Sequence, residues 1–504
     1  MRRALIFLLF LLPASLALLS CGGGTGSAGG SQTSGIKYRA FLTNSVSANT
    51  GAAGVYIVNA QTDVRALVPP ISTGNTPGLM VLTPNRSQTL VFSGFGTPFP
   101  DNQFSIINNS TEAVSAHATL PGYTESFVVS PDSTTAYIAI PAASVAGQSS
   151  GVVDIANLGA GTLAAEIYCP AYNPTVTNPV CLPYPVPQPP PSVCDATPYL
   201  CGGFNPPYHF LSMGNTGTRL LAFSEGSDAV ANAVAVITPS NAGTTNPVIT
   251  FASGSGPTAF DHPIWAVFNS NDTLAYVLNC GAECGGTQAS IQTLDLTTTP
   301  PTPGVPVPVP AATVALVNNS TLYLAGTPTP AQPCPSGTLA TNCGLLTIFD
   351  LSSMSVVQPP NCAAGQQCPI VITDGYHTRM ALGSNGQLFI GARTCTEIIP
   401  PLSPPQGAET RGCLSIYNTL PTAVGSIQPY SVGIPPENGD VTGIQPIATR
   451  NVVYVVQGQN VQGGSLYIYD TTIDALEYNP NDPNNPGQIS NLVGDFVDVI
   501  TPDF

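Results

Sequence analysis

Positive charge is nearly missing from this chain of 504 residues: Lys37 is the sole lysine, and lysine and arginine together number 11 against 27 aspartates and glutamates. A surface so poor in cations cannot neutralise a run of phosphates, which excludes nucleic acid as a partner and a basic patch on anionic lipid. Tryptophan occurs once, at Trp265, and histidine four times, at His117, His209, His262 and His377. The three- and four-residue apolar spacing of amphipathic helices is absent throughout. Beyond the first residues there is no apolar run long enough to span a bilayer. A phosphate-binding loop needs Gly-Lys followed by Ser or Thr, and Lys37 lacks that context. The paired CxxC spacings of a zinc ribbon and the CxxCH of covalent haem attachment are also lacking.

What is present begins with Met1, Arg2 and Arg3, an apolar stretch from Ala4 to Leu19 interrupted by Pro13, and then Ser20 and Cys21. A basic start, a short apolar core and small residues at the cut are the layout of a secretory signal, expected over 1–20. The end of this segment resembles a bacterial lipobox, with Leu19 bulkier than usual before Ser20, and that resemblance implies lipidation of Cys21. The competing reading is an ordinary secreted protein cut after Ala17. Residues 21–36 are mostly Gly, Ser and Thr and are expected to form a flexible tether. Acyl chains contribute about 0.8 kcal/mol of membrane affinity per buried methylene, so the lipid is the expected membrane contact. Under the usual bacterial sorting preference, Gly22 in place of Asp points to the outer membrane. Losing Arg2 and Arg3 would take the formal charge from −16 to −18.

Setting Cys21 aside leaves an even number of the thirteen cysteines, which suits disulfides in an oxidising compartment. Many are sequence neighbours: Cys169 and Cys181, Cys194 and Cys201, Cys280 and Cys284, Cys334 and Cys343, Cys362 and Cys368, Cys395 and Cys413. Mostly local bridges are expected, although spacing alone does not prove connectivity.

With 49 Gly and 52 Pro the chain is rich in breakers, yet its 43% hydrophobic residues are grouped in short alternating runs. Disorder is therefore the poorer reading. The runs recur as strand, tight turn, strand, loop and third strand, as in SFVVSPDSTTAYIAIP followed by GVVDIANLGAGTL. Units of 40 to 50 residues built this way predict an all-β fold, a β-propeller of four-stranded blades. First strands are expected near 79, 126, 209, 265, 312, 378, 443 and 496, giving eight blades, with seven as the alternative because the unit near 311 is compressed. The N-terminal runs KYRAFLTNS and GVYIVNAQTDV read as second and third strands of a unit without a first. DFVDVITPDF at the other end supplies it, closing the ring over 37–504 and removing open sheet edges.

SPDSTTAYIAI, SNDTLAYVL, LTIFDLSSM and LYIYDTTID resemble the YVTN-type or surface-layer β-propeller repeats of secreted bacterial proteins, over nearly all of 37–504. The resemblance implies the fold and carries little about function, because such repeats hold no catalytic signature. The Trp-Asp and Gly-His marks of WD40 repeats are absent.

Two segments interrupt the pattern. Residues 169–207 are rich in Pro and carry four cysteines, reading as an insertion stapled by disulfides that cannot enter a sheet interior. The NPNDPNNPGQ stretch from Asn479 has a calcium-like composition without spaced carboxylates, so a solvated turn is expected.

No catalytic residue emerges. Gly147 to Gly151 match the GxSxG of a hydrolase elbow, but that motif needs strand, turn and helix, and here a loop between two strands is expected. His209, His262 and His377 fall near the start of first strands, which border the channel of a propeller. Glu125, Asp261, Asp374, Asp440 and Asp495 occupy related positions, and Tyr123, Tyr208 and Tyr376 lie beside them. A rim of imidazoles and carboxylates suits a divalent metal or the positioning of a sugar or peptide; scattered polar residues on a solvated rim are the alternative. No cofactor is otherwise implied. The leading functional expectation is a cell-envelope lipoprotein whose propeller binds or scaffolds a protein or glycan. The competing one is a lactonase-like or metal-dependent hydrolase with chemistry in the funnel. A third is a structural envelope component with no discrete ligand.

Overall fold

The computed structural model describes residues 33–503 apart from 46–51, 95–100, 143, 146–147, 150, 169–181, 185–206, 225–232, 240–248, 253, 335–339, 360–361, 363–367, 397–408, 421–439, 459–464, 473–474, 477–486, 488, 490–491 and 493. Local sequence sets the repeat at two turns. Between first and second strands, the amides of Arg86, Ser133, Gly217, Asp272 and Gly386 each return to the carbonyl three residues earlier. All five have positive φ, from 55° to 83°. This left-handed seat is open to glycine at no steric cost, and Gly217 and Gly386 use it.

After the third strand the device is an Asx turn. Asn59, Asn108, Asn157, Asp295, Asp350, Asn418 and Asp470 each accept a backbone amide two or three residues on, at 2.7–3.0 Å. The short carboxylate or amide closes the turn itself, which is why seven of the eight third strands end in Asp or Asn, that of blade 4 ending at Ile237.

These turns fold the chain into eight antiparallel sheets around a ring. The innermost strands of blades 2 to 5 are Pro77–Leu82, Ser126–Val129, Tyr208–Met213 and Pro263–Phe268. Those of blades 6 to 8 are Val314–Asn318, Tyr376–Leu382 and Asp440–Ile447. Blade 1 takes its innermost strand, Asp495–Ile500, from the C-terminus, where it pairs with Arg39–Ser45. Eight blades closed by the last strand is the arrangement the repeat predicted, and the compressed unit near 311 is a genuine blade.

Each of the eight blade-to-blade interfaces holds its own apolar cluster. Between blades 2 and 3, Phe104 and Phe127 meet edge to face at 5.5 Å. On the face of blade 1 turned toward blade 8, Tyr56 stands against Phe496 at 6.2 Å. Burying one such ring stabilises by about 1.5–3 kcal/mol, so the fold rests on packing between neighbouring sheets.

The edges are less regular than four strands per blade. The outer strand of blade 7, Glu409–Arg411, precedes its neighbour Leu414–Asn418 in the chain. Of the Cys/Pro-rich insertion only Leu182–Tyr184 and Pro207 are described; Leu182–Tyr184 adds to the outer edge of blade 3 beside Thr162–Tyr168, a place where Pro183 costs no interior ladder bond. The predicted bridges Cys280–Cys284, Cys334–Cys343, Cys362–Cys368 and Cys395–Cys413 are present. Cys169, Cys181, Cys194 and Cys201 lie outside the described residues, as do Cys21, the tether up to residue 32 and nearly all of the Asn479 stretch. The GxSxG residues Gln148–Ser149 pair with Ser144–Val145 in a short hairpin, and a strand follows at Val152–Asn157. That is the loop between strands expected of a chance match.

Candidate functional site

Six of the eight innermost strands are bulged, those of blades 3 and 6 being regular. Register slips occur between Pro77 and Met80, Tyr208 and Phe210, Pro263 and Trp265, His377 and Arg379, and Val441 and Gly443. The closing strand slips too, opposite Leu42 and Asn44. An extra residue breaks the ladder and frees backbone groups for other partners. At the blade 8 bulge the carbonyl of Thr442 accepts Nε of Arg379 at 2.8 Å.

Residues at the innermost strands of seven blades line a cavity of about 520 Å³ on the propeller axis. Blade 7 supplies Tyr376, His377, Thr378, Arg379 and Arg393; Tyr123 and Glu125 come from blade 3, Phe210 from blade 4 and Trp265 from blade 5. Tyr376 and Arg393 are register partners on adjacent strands. Arg379 Nη2 stands 3.8 Å from Oδ2 of the buried Asp498. Asp498 is itself held by the amides of Met80 at 3.0 Å and Val499 at 2.9 Å. Burial pushes its carboxyl up, against the opposing pull of Arg379 and those amides. Across the channel, burial first and the charge of Glu125 second push the Tyr123 phenol up to about 12, while Arg393 acts in the opposite direction.

Of the predicted rim residues, Glu125 and His377 line this cavity. His377 is fully buried, and burial lowers its imidazole to about 4, so it is neutral at neutral pH. Neither ring nitrogen has a hydrogen bond of good geometry, the Thr373 backbone being the polar group that pulls its titration the other way. The imidazole fits because residue 344 is glycine: a Cβ there would stand 2.5 Å from Cε1 of His377.

The other predicted residues hold the surrounding loops. Asp261 accepts His262 Nδ1 at 3.0 Å and the amides of Thr287 and Gln288 at 2.9 and 2.8 Å. Burial pushes its carboxyl up, but the bonds from Thr287, Gln288 and His262 prevail and hold it below the usual range. Asp374 accepts the Thr396 amide at 3.0 Å, and Asp440 the Thr394 amide at 2.7 Å. His209 sits at the blade 4 bulge beside Phe210, ring centres 6.1 Å apart. Among the described residues no three His, Cys, Asp or Glu side chains are grouped to share a metal ion.

Sequence reasoning missed Arg379, Arg393, Trp265 and Asp498. A signal was available for the arginines: three of the chain's 11 cationic residues fall in one repeat unit, and two of them, within TRMAL and FIGAR, interrupt otherwise apolar strands.

No protein-family model matches the chain, and no curated protein matches it. Solved structures do. The dihydro-heme d1 dehydrogenase NirN, in complex with DHE, matches over 92% of this chain and 75% of its own, at 9% identity and a TM-score of 0.54. The periplasmic gluconolactonase PpgL of Pseudomonas aeruginosa matches over 92% and 98%, at 12% identity and a TM-score of 0.42. The C-terminal WD40 domain of Sif2 matches over 86% and 98%, at 9% identity and a TM-score of 0.45. At such identities the likeness shows the fold alone, and that fold is a β-propeller.

Proposed function

We propose that this chain is a bacterial cell-envelope lipoprotein of the YVTN-type repeat class, anchored through Cys21, whose propeller is a non-catalytic module that binds a glycan in its channel. The observation that carries the binding reading is the axial cavity, where the aromatic rings of Tyr123, Phe210, Trp265 and Tyr376 stand with Glu125, Arg379 and Arg393. Flat apolar faces interspersed with a few charged groups suit a ligand with C–H faces and polar edges, and the volume falls within the roughly 300–1,000 Å³ of small-molecule sites. Export is supported by the signal-like start and by four disulfides among the described residues.

Two measurements test the two halves. Metabolic labelling with palmitate should mark the full-length protein and not Cys21→Ser; equal labelling of both removes the anchor. Detergent-solubilised protein should bind members of a panel of short oligosaccharides, and Trp265→Ala should weaken that binding at least tenfold. Binding indifferent to Trp265 would take the ligand out of the channel.

A further inference from the structure

We infer that the channel selects a carboxylate-bearing saccharide, a uronate, whose acid group is taken by Arg379 and Arg393. This deepens the glycan reading above and rests on it.

Cations are few in this chain. In a chain of net charge −16, several arginines serve the framework. Arg39 pairs with Glu112 at 2.9 Å and Asp503 at 2.5 Å, and Arg450 pairs with Asp63 at 2.6 Å. Arg86 donates to the carbonyls of Thr501 and Pro502 at 2.5 and 3.1 Å, and Arg65 lies over the Tyr56 ring at 4.3 Å. Arg379 and Arg393 instead share the wall of one cavity. Arg379 commits Nε to Thr442, while its contact to Asp498, at 3.8 Å, is too long for a hydrogen bond. Arg393 Nε is buried and makes no hydrogen bond.

An acid group entering the cavity meets both of these cationic side chains on one wall. Guanidinium and carboxylate also match as planar forks, which a neutral sugar hydroxyl does not reproduce. Glu125 opposite provides a carboxylate for hydroxyl groups, while Trp265 and Phe210 provide for the apolar ring face. Hydroxyls, an apolar ring and one acid describe a uronate better than an acidic peptide, which lacks the hydroxyl-bearing ring.

The test is calorimetric titration of the full-length lipoprotein in detergent at pH 7 with digalacturonate, with neutral galactobiose and with a tetraglutamate peptide. Digalacturonate should bind at least tenfold more tightly than either of the others. Arg393→Gln should lower its affinity at least tenfold and that of galactobiose by a much smaller factor, so that the preference for the acid is lost, with melting behaviour preserved. Arg379→Gln should act the same way; because Arg379 also meets Asp498, Arg393→Gln is the deciding variant. Equal affinity for digalacturonate and galactobiose, or full affinity in Arg393→Gln, overturns acid selection while leaving glycan binding intact. Preference for the peptide overturns the saccharide class. Binding of digalacturonate that is insensitive to Trp265→Ala overturns the channel reading itself.

Discussion

Thr43 Oγ1 accepts the amide of Asp498 at 2.9 Å, joining residues 455 positions apart, and donates to the carbonyl of Gly78 on the next blade at 2.9 Å. One hydroxyl thus ties the C-terminal strand to the N-terminal strand and both to blade 2. Arg39 adds Asp503, and Asp495 donates its amide to Asn44 Oδ1 at 2.7 Å.

Deleting 495–504 should therefore be severe. It removes Phe496 and Val499 from the cluster between blades 8 and 1, each side chain contributing about 1.5–3 kcal/mol. It also exposes the edge of Arg39–Ser45. Thermal unfolding followed by circular dichroism should lose its sharp transition or shift down by more than 10 °C, on the rough scale of several degrees per kcal/mol. An unchanged melt would mean the ring does not depend on its closing strand.

The disulfides should differ in worth by loop length. Cys395–Cys413 closes a separation of 18 residues and Cys280–Cys284 one of 4. Chain-entropy arguments give about 3 kcal/mol for a loop of some 15 residues and less for a shorter one. The Cys395→Ser/Cys413→Ser pair should lower the urea midpoint clearly more than Cys280→Ser/Cys284→Ser. The reverse order would show that native packing, and not loop closure, sets their value.

The strands and turns were legible because each repeat carries its own local chemistry: Asp or Asn at the end of a third strand, and SPDS or GSNG between first and second. The channel lining was not, and the bulges explain why. A slip of one residue sends alternate side chains to the opposite face, so His209, within the blade 4 slip, and His377, before the blade 7 slip, are equivalent in sequence and not in space. His262 precedes its strand, in a left-handed conformation at φ 57°. The same slips concealed Arg379, whose neighbour Thr442 is on another blade.

Gly344→Ala should be costly although its backbone is ordinary. The added methyl would meet Cε1 of His377 at 2.5 Å and the Thr373 carbonyl at 2.7 Å, and a backbone oxygen cannot swing aside. Overpacking of this kind costs about 1–3 kcal/mol, read as a lower urea midpoint. Gly256→Ala, where a Cβ meets nothing within 4 Å, is a control for crowding, although its positive φ adds some strain. A Gly344→Ala midpoint equal to wild type would show that the His377 seat has slack.

Glu283 gives a pH dependence whose sign is fixed. It sits in the short turn Gly281–Cys284, bridged by Cys280–Cys284, and Oε2 accepts the Thr327 amide of blade 6 at 2.7 Å. Burial pushes its carboxyl up from 4.5 to about 7, outweighing that amide, which favours the charged form. Between those values the folded protein keeps a proton that the unfolded chain releases, so this group adds stability as pH falls from about 7 toward 4.5 and loses it as pH rises through 7. Glu283→Gln keeps an acceptor for Thr327 and removes the titration. Urea midpoints at pH 5 and pH 8 should then differ by less in the variant than in the wild type, with the variant the more stable at pH 8. Identical differences in the two proteins would show that the carboxyl is ionised throughout and that the junction of blades 5 and 6 tolerates a buried charge.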